Sequence, residues 1–226
     1  MKGIVSTVLL GALVVGLAGS ASAFDNKQAG IALHITPANS LPVPQACNPS
    51  VTAPTLVYQT PGNSQNNDFF WTYLLVCNGS DSTGVAGMEM GISYPASIQV
   101  YQWRQCADLA FSDGIWPASG GSNLLTWTLA NCKTTRSEPG VPRTVIAIGG
   151  YFYMGAYGAS QMSVIPRPVS GRAKVADCAS REDDFTFAVP SHLGVAGFAG
   201  APGYNPCGAP TAVAPSTWSK VKSLTH

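Results

Sequence analysis

From Phe69 to Val76 the chain reads Phe-Phe-Trp-Thr-Tyr-Leu-Leu-Val, apolar on both parities apart from Thr72. Successive side chains of a strand point to opposite faces, so a run of this kind belongs at the centre of a sheet. The stretch Gly84–Trp103 shows the other strand pattern. Met88, Met90, Ile92 and Tyr94 share one parity, while Glu89, Gly91 and Ser93 share the other. This alternation predicts a strand with an apolar inner face, and places Glu89 on an outer face that it keeps soluble. Pro95 cannot donate to a ladder and closes the run. Alternation resumes through Ile98, Val100, Tyr101 and Trp103.

Further short runs follow the same logic. Ile31, Leu33 and Ile35 alternate with Ala32 and His34, which puts His34 on the surface side of its strand. Residues 55–60, 124–129, 144–153, 161–165 and 185–189 complete the set, separated by clusters such as Pro61-Gly62-Asn63-Ser64 and Asn78-Gly79-Ser80-Asp81. About nine strands with turn signals between them, and no sustained helical period, predict an all-β antiparallel sandwich of jelly-roll type. Composition agrees: 24 Gly and 17 Pro with only 10% charged residues suit a turn-rich β protein. With 12 Lys and Arg against 11 Asp and Glu there is no basic surplus, which argues against a nucleic-acid partner.

The N-terminus carries Lys2, an apolar stretch Ile4–Leu17 and small residues at Ala21 and Ala23. That is the layout of a cleaved signal peptide over residues 1–23, too short in its apolar part for a comfortable membrane span. The expected location is therefore secreted, periplasmic or extracellular, with no membrane attachment after cleavage. The six cysteines, Cys47, Cys77, Cys106, Cys132, Cys178 and Cys207, form no Cys-x-x-Cys pair. In an exported chain they predict three disulfides that staple the sandwich. Spacing leaves every connectivity open. Sequential pairing, with Cys106 bridged to Cys132, is the working expectation because each pair would tie a strand end to a nearby loop. The sandwich is assigned to residues 24–196. Residues 197–226 read as a Gly/Ala/Pro-rich tail, with a short helical turn near Ser216 and Thr217 that presents Trp218 and Val221.

The residues Gly84, Gly87, Met88, Met90, Ile92, Tyr94 and Pro95 give a Gly-x-x-Gly lead-in to an alternating strand that ends near a tyrosine. In this the chain resembles the cohesin-like, Ig-like β-sandwiches of single-domain exported bacterial proteins. The resemblance implies a sandwich that acts as a binding module. Cohesin-type domains usually place an acid after the tyrosine and lack a cysteine framework. Here Pro95 and six cysteines stand instead, so no dockerin-recognition residue carries over.

Candidate chemistry is sparse. No Gly-x-Ser-x-Gly elbow is present, and Ser191-His192 follows Pro190 in a turn. Asp177, Glu182, Asp183 and Asp184 form the one acidic group with oxygen ligands for Ca²⁺, although no Asp-x-Asp-x-Asp-Gly loop is present and Arg181 offsets its charge. No cofactor is implied. Aromatics are the remaining lead: Tyr151, Tyr153 and Tyr157 lie close together, and Trp103 and Trp116 flank Cys106. Planar rings stack on the C–H faces of sugars. By parity Tyr151 and Tyr153 share a face, opposite Ile146, Ile148, Phe152 and Met154, which would fill the core. The sequence thus reads as a non-enzymatic exported structural or binding module, with glycan or another extracellular protein as partner. The alternatives are a small secreted hydrolase acting on polysaccharide, and a fibre or pilus subunit assembling by strand addition.

Overall fold

The computed structural model describes residues 26–38, 47 and 49–208. The leader over 1–23 and the turn at Ser216–Thr217 lie outside these described residues. Eleven strands follow in chain order: β1 Gly30–Ala38, β2 Phe69–Gly79, β3 Gly87–Ser93, β4 Ile98–Gln105, β5 Leu109–Ala110, β6 Ser122–Thr126, β7 Val145–Ala156, β8 Ser160–Ile165, β9 Lys174–Ala176, β10 Glu182–Asp184 and β11 Val195–Phe198. They make two antiparallel sheets. One is four-stranded in the order β1-β2-β7-β4. The other runs β10-β9-β3-β6-β5, with β8 also paired to β3 and β11 paired to β8.

The doubly apolar run is the central strand β2, and each parity has its own cover. Phe70, Leu74 and Val76 enter the core between the sheets with Ile31, Leu33, Met88, Met90, Ile92, Leu125 and Phe152. Trp71, Tyr73 and Leu75 point the other way, into a second apolar layer with Ala53, Leu56, Ile148, Tyr151 and Cys207. Burying each large side chain stabilises by about 1.5–3 kcal/mol, so this second layer is a core in its own right. It also overturns the surface reading of His34, which is 4% exposed. The side of β1 opposite the main core faces this layer, not water.

Strand β7 corrects a second expectation. Leu74 pairs with Gly150 and Leu75 with Ile148, which leaves Gly149 as the extra residue of a β-bulge. One extra residue inverts the parity downstream of it. Ala147, Phe152 and Met154 therefore face the main core, while Ile146 and Ile148 lie with Tyr151 and Tyr153 on the outer side. Both positions are tight, and Gly150, which meets backbone, requires glycine. A Cβ on Gly149 would sit 2.4 Å from Met88 Cε, and one on Gly150 2.4 Å from the Arg104 carbonyl oxygen. The Gly149 carbonyl accepts from Cys106 N at 2.9 Å and Ala107 N at 3.1 Å, so the bulge also anchors the end of β4.

In β3 the faces fall as expected, but the outer one is covered. Strands β8 and β9 both pair with the edge of β3 not taken by β6, and the chain between them leaves the sheet. That excursion folds back over Glu89. Ser170 Oγ donates to Glu89 Oε1 at 2.6 Å, and Arg167 Nη1 lies 3.5 Å from the same oxygen. Glu89 is thus buried and ion-paired instead of solvated.

Two expected strands are absent. Residues 55–60 follow a short 3-10 turn and run extended, tied by Ile35 N donating to Val57 O at 2.7 Å and Thr60 N to Gly197 O at 2.9 Å. Residues 185–189 form a turn before Pro190, with Phe187 and Val189 exposed. The ladder falls instead on Glu182–Asp184, where Glu182 pairs with Ala176 and forms an ion pair with Lys174 at 2.7 Å. The boundary read after residue 196 lies inside β11. The disulfides are Cys47–Cys106, Cys77–Cys207 and Cys132–Cys178, not sequential. Sheet neighbours, not chain neighbours, set the pairing: Cys77 sits opposite Gly30 in β2, against which Cys207 packs. Closing loops of 46 to 130 residues, each bridge contributes on the order of 4–5 kcal/mol by loop entropy.

Candidate ligand site on the outer aromatic face

The outer side of the four-stranded sheet carries a continuous line of rings. Tyr73 and Tyr151 stand 5.3 Å apart between centroids, Tyr151 and Trp71 5.6 Å, and Trp71 and Tyr153 4.8 Å. Tyr153 then meets Tyr101 at 5.6 Å and Phe69 at 5.9 Å. The line begins buried, with Tyr151 at 3% exposure, and ends in the open, with Tyr101 at 48%. Segment 51–56 covers the first end and leaves the second uncovered.

Tyr101 owes its place to a second irregularity. Val100 pairs with Met154 and Gln102 with Tyr153, so Tyr101 is the extra residue in β4. By number it shares a parity with Trp103, yet Val100 and Trp103 pack on the main core while Tyr101 reaches the outer rings. Its hydroxyl meets that of Tyr157 at 2.5 Å and donates to Gln99 Oε1 at 3.3 Å. Burial of this hydroxyl end, reinforced by the Tyr157 contact, pushes its pKa up to about 12. The phenol is therefore neutral across the physiological range, and the ring is held upright.

Beside Phe69 and Tyr153 opens a cleft of about 700 Å³, also lined by Pro37, Thr60, Asn67 and Asp68. Its turn is rigidly tied. Ser64 Oγ donates to Asp68 O at 2.5 Å and accepts from Ala156 N at 2.7 Å. Asn63 N donates to Asp68 Oδ2 at 3.0 Å, and Gln65 Nε2 to Tyr157 O at 3.1 Å. Asn67 adopts φ 65, a left-handed conformation that Asn tolerates better than most residues. The polar groups of the cleft are thus fixed before any ligand arrives, which lowers the entropic cost of binding.

Of the residues singled out from sequence, Tyr153 and Tyr157 belong to this site and Tyr151 lies beneath it as core. Trp103 and Trp116 are not part of it. They cross edge-on at 5.0 Å and pack with Phe152 at 4.6 and 5.6 Å on the opposite side of the sheet. Phe69, Tyr101 and Asp68 were missed. Tyr101 was legible only as one residue of an alternating run, because nothing local announces the bulge that turns it outward. The four acids of the Ca²⁺ candidate go to separate partners. Asp177 binds Arg181, Glu182 binds Lys174, Asp183 accepts from Asn26 N, and Asp184 binds Arg172. Among the described residues no three His, Cys, Asp or Glu side chains converge as metal ligands. Both described histidines bond backbone: His34 Nδ1 accepts from Val57 N at 2.9 Å, and His192 Nδ1 lies 2.5 Å from Ala29 O.

No known protein family matches the chain, and no curated protein matches it. Among solved structures it is similar to the cohesin module of a family 33 glycoside hydrolase from Clostridium perfringens, at 11% identity and TM-score 0.40 over 75% of this chain and 96% of that one. It is likewise similar to a type I cohesin–dockerin complex from Clostridium thermocellum, at 11% identity and TM-score 0.40 over 75% of this chain and 98% of that chain. A cohesin–dockerin complex from Acetivibrio cellulolyticus matches at 10% identity and TM-score 0.36, over 68% and 90% of the two chains.

Proposed function

We propose that the chain is an exported, non-enzymatic binding module whose ligand site is the aromatic cleft, and that its ligand is an extended glycan. The observation that carries this reading is Tyr101. It is a half-exposed ring bonded at its hydroxyl to that of Tyr157 and standing 5.6 Å from Tyr153, which in turn lines the open cleft. Rings held at such spacing beside hydrogen-bonding groups suit sugar residues, which offer apolar C–H faces and a rim of hydroxyls. Export is supported by the leader-like N-terminus and by the engagement of all six cysteines in disulfides. The binding reading over the hydrolase one is supported by the cleft lining, in which Asp68 is the single carboxylate among the described residues, whereas glycoside hydrolysis needs two.

Affinity electrophoresis and calorimetry against soluble polysaccharides test the proposal. Stacking contributes roughly 1 kcal/mol per ring, so Tyr101→Ala should weaken binding about fivefold while changing stability by no more than about 0.5 kcal/mol. If no polysaccharide retards the protein, or if Tyr101→Ala binds as tightly as the parent, the reading fails. One other observation favours a protein partner: Leu109, Phe111 and Ile115 are half-exposed beside β6. A complex disrupted by Phe111→Ser and untouched by Tyr101→Ala would place recognition there.

A further inference from the structure

We infer that the cleft selects an uncharged glycan, and that Asp68 is the residue that sets this specificity by repelling acidic chains; this rests on the glycan reading above. The lining supplies apolar surface from Pro37, Phe69 and Tyr153 and uncharged hydrogen-bonding groups from Thr60 and Asn67. Among the described residues that line it, Asp68 is the only charged one, with no Lys, Arg or His beside it. Asn63 N donates to Oδ2 at 3.0 Å, and the Asp68 backbone is held through Ser64, so the exposed carboxylate has a preferred position at the cleft. A uronate or sulfate seated on Tyr153 would face this fixed negative charge, whereas the hydroxyls of a neutral sugar can donate to it.

A competing cation on the neighbouring strand β4 is Arg104. It lies opposite Tyr151 in the β4–β7 ladder, farther along the rings than Tyr153. Its guanidinium is within 3.2 Å of the Gln102 side-chain amide, which with its oxygen turned towards Arg104 accepts from Nε and Nη2. Arg104 is therefore engaged with its own strand and not with the cleft. It is the group that an acidic chain would have to use.

The experiment uses the full oxidised chain and two kinds of soluble polymer, uncharged (a β-glucan and a galactomannan) and acidic (polygalacturonate and alginate), each at low and moderate salt. The parent should bind at least one uncharged polymer and neither acidic one. Asp68→Asn keeps an acceptor for Asn63 N and removes the charge; it should admit acidic polymer weakly, and an acidic polymer still excluded as by the parent overturns the inference. Asp68→Lys should bind polygalacturonate at least about fivefold more tightly than the parent, with an affinity that falls as salt rises. Circular dichroism and the melting temperature of each variant confirm that the fold is kept. If the parent binds acidic polymer and Arg104→Ala abolishes that binding, the specificity inference is overturned and the aromatic site stands. Asp68→Lys with unchanged preference also overturns it. If no polymer of either kind binds any variant, the glycan reading itself falls.

Discussion

Replacing His34 with Asn should remove most of the protein's sensitivity to mild acid. The imidazole is 4% exposed on β1, opposite Tyr73 and under Val57, whose N–H donates to Nδ1 at 2.9 Å. A nitrogen that accepts cannot carry a proton, and burial lowers the pKa from 6.5 to about 4. The unfolded chain takes up its proton near 6.5 while the native state refuses it. Stability is therefore full above pH 6.5 and falls as the pH drops from 6.5 towards 4. The total loss is about 3 kcal/mol, of which about 2 kcal/mol is gone by pH 5. That is a large share of the 5–15 kcal/mol typical of a domain. The aspartates with lowered pKa, Asp81, Asp108, Asp113 and Asp184, shed their contributions only as pH falls below their ordinary value of 3.8, so the two ranges separate. Asn retains an acceptor for Val57 N and does not titrate. Denaturant unfolding at pH 7.5, 6.5, 5.5 and 5.0 reads the outcome. The parent should lose about 2 kcal/mol across the series and His34→Asn less than about 0.5 kcal/mol, from a lower starting value because the ring volume is lost. A flat parent profile, or parallel falls in both proteins, would refute the assignment.

Two further outcomes follow from buried features. Glu89→Gln should cost about 1–3 kcal/mol, because it leaves Arg167 under the 166–173 excursion without its counter-charge; a denaturation midpoint shifted by less than a solvent-facing substitution would give argues against the ion pair. Gly150→Ala should destabilise by about 1–3 kcal/mol or more, since the new Cβ must displace the Arg104 carbonyl and the Trp103 ring, and an unchanged melting temperature would show that the bulge is not where β7 places it.

The part of the site that could be read in advance is the part governed by local chemistry. Tyr153 and Tyr157 stood out as clustered rings. Their partners did not, because Tyr101 and Phe69 are separated from them in the chain and join them only across β4–β7 and β2–β7 pairing. Tyr151 looked equivalent to Tyr153, two residues away on the same parity. What separates them is cover: Tyr151 packs with Leu56 and Cys207 in the second layer, while Tyr153 is only partly buried at its edge. Asp68 carries no local signal, and its backbone is tied to the turn that Ser64 attaches to Ala156.

At the level of the fold, the longer patterned strands were legible: the doubly apolar β2 and the alternating β1, β3, β4, β7 and β8 all contain the expected runs. Period-two patterning records which side chains avoid water, and that is a local property of the chain. Strands of two to four residues, such as β5, β9, β10 and β11, are too short to show a period and exist because a longer neighbour offers its edge. The all-β class, the centrality of β2 and the inward face of β3 were thus determined by sequence alone. The disulfide pairing, the burial of His34 and Glu89, and the exposure of Tyr101 were decided by tertiary structure. Each depends on what a distant segment lays over a face, or on one extra residue in a ladder, and neither leaves a trace in the local alternation of polar and apolar residues.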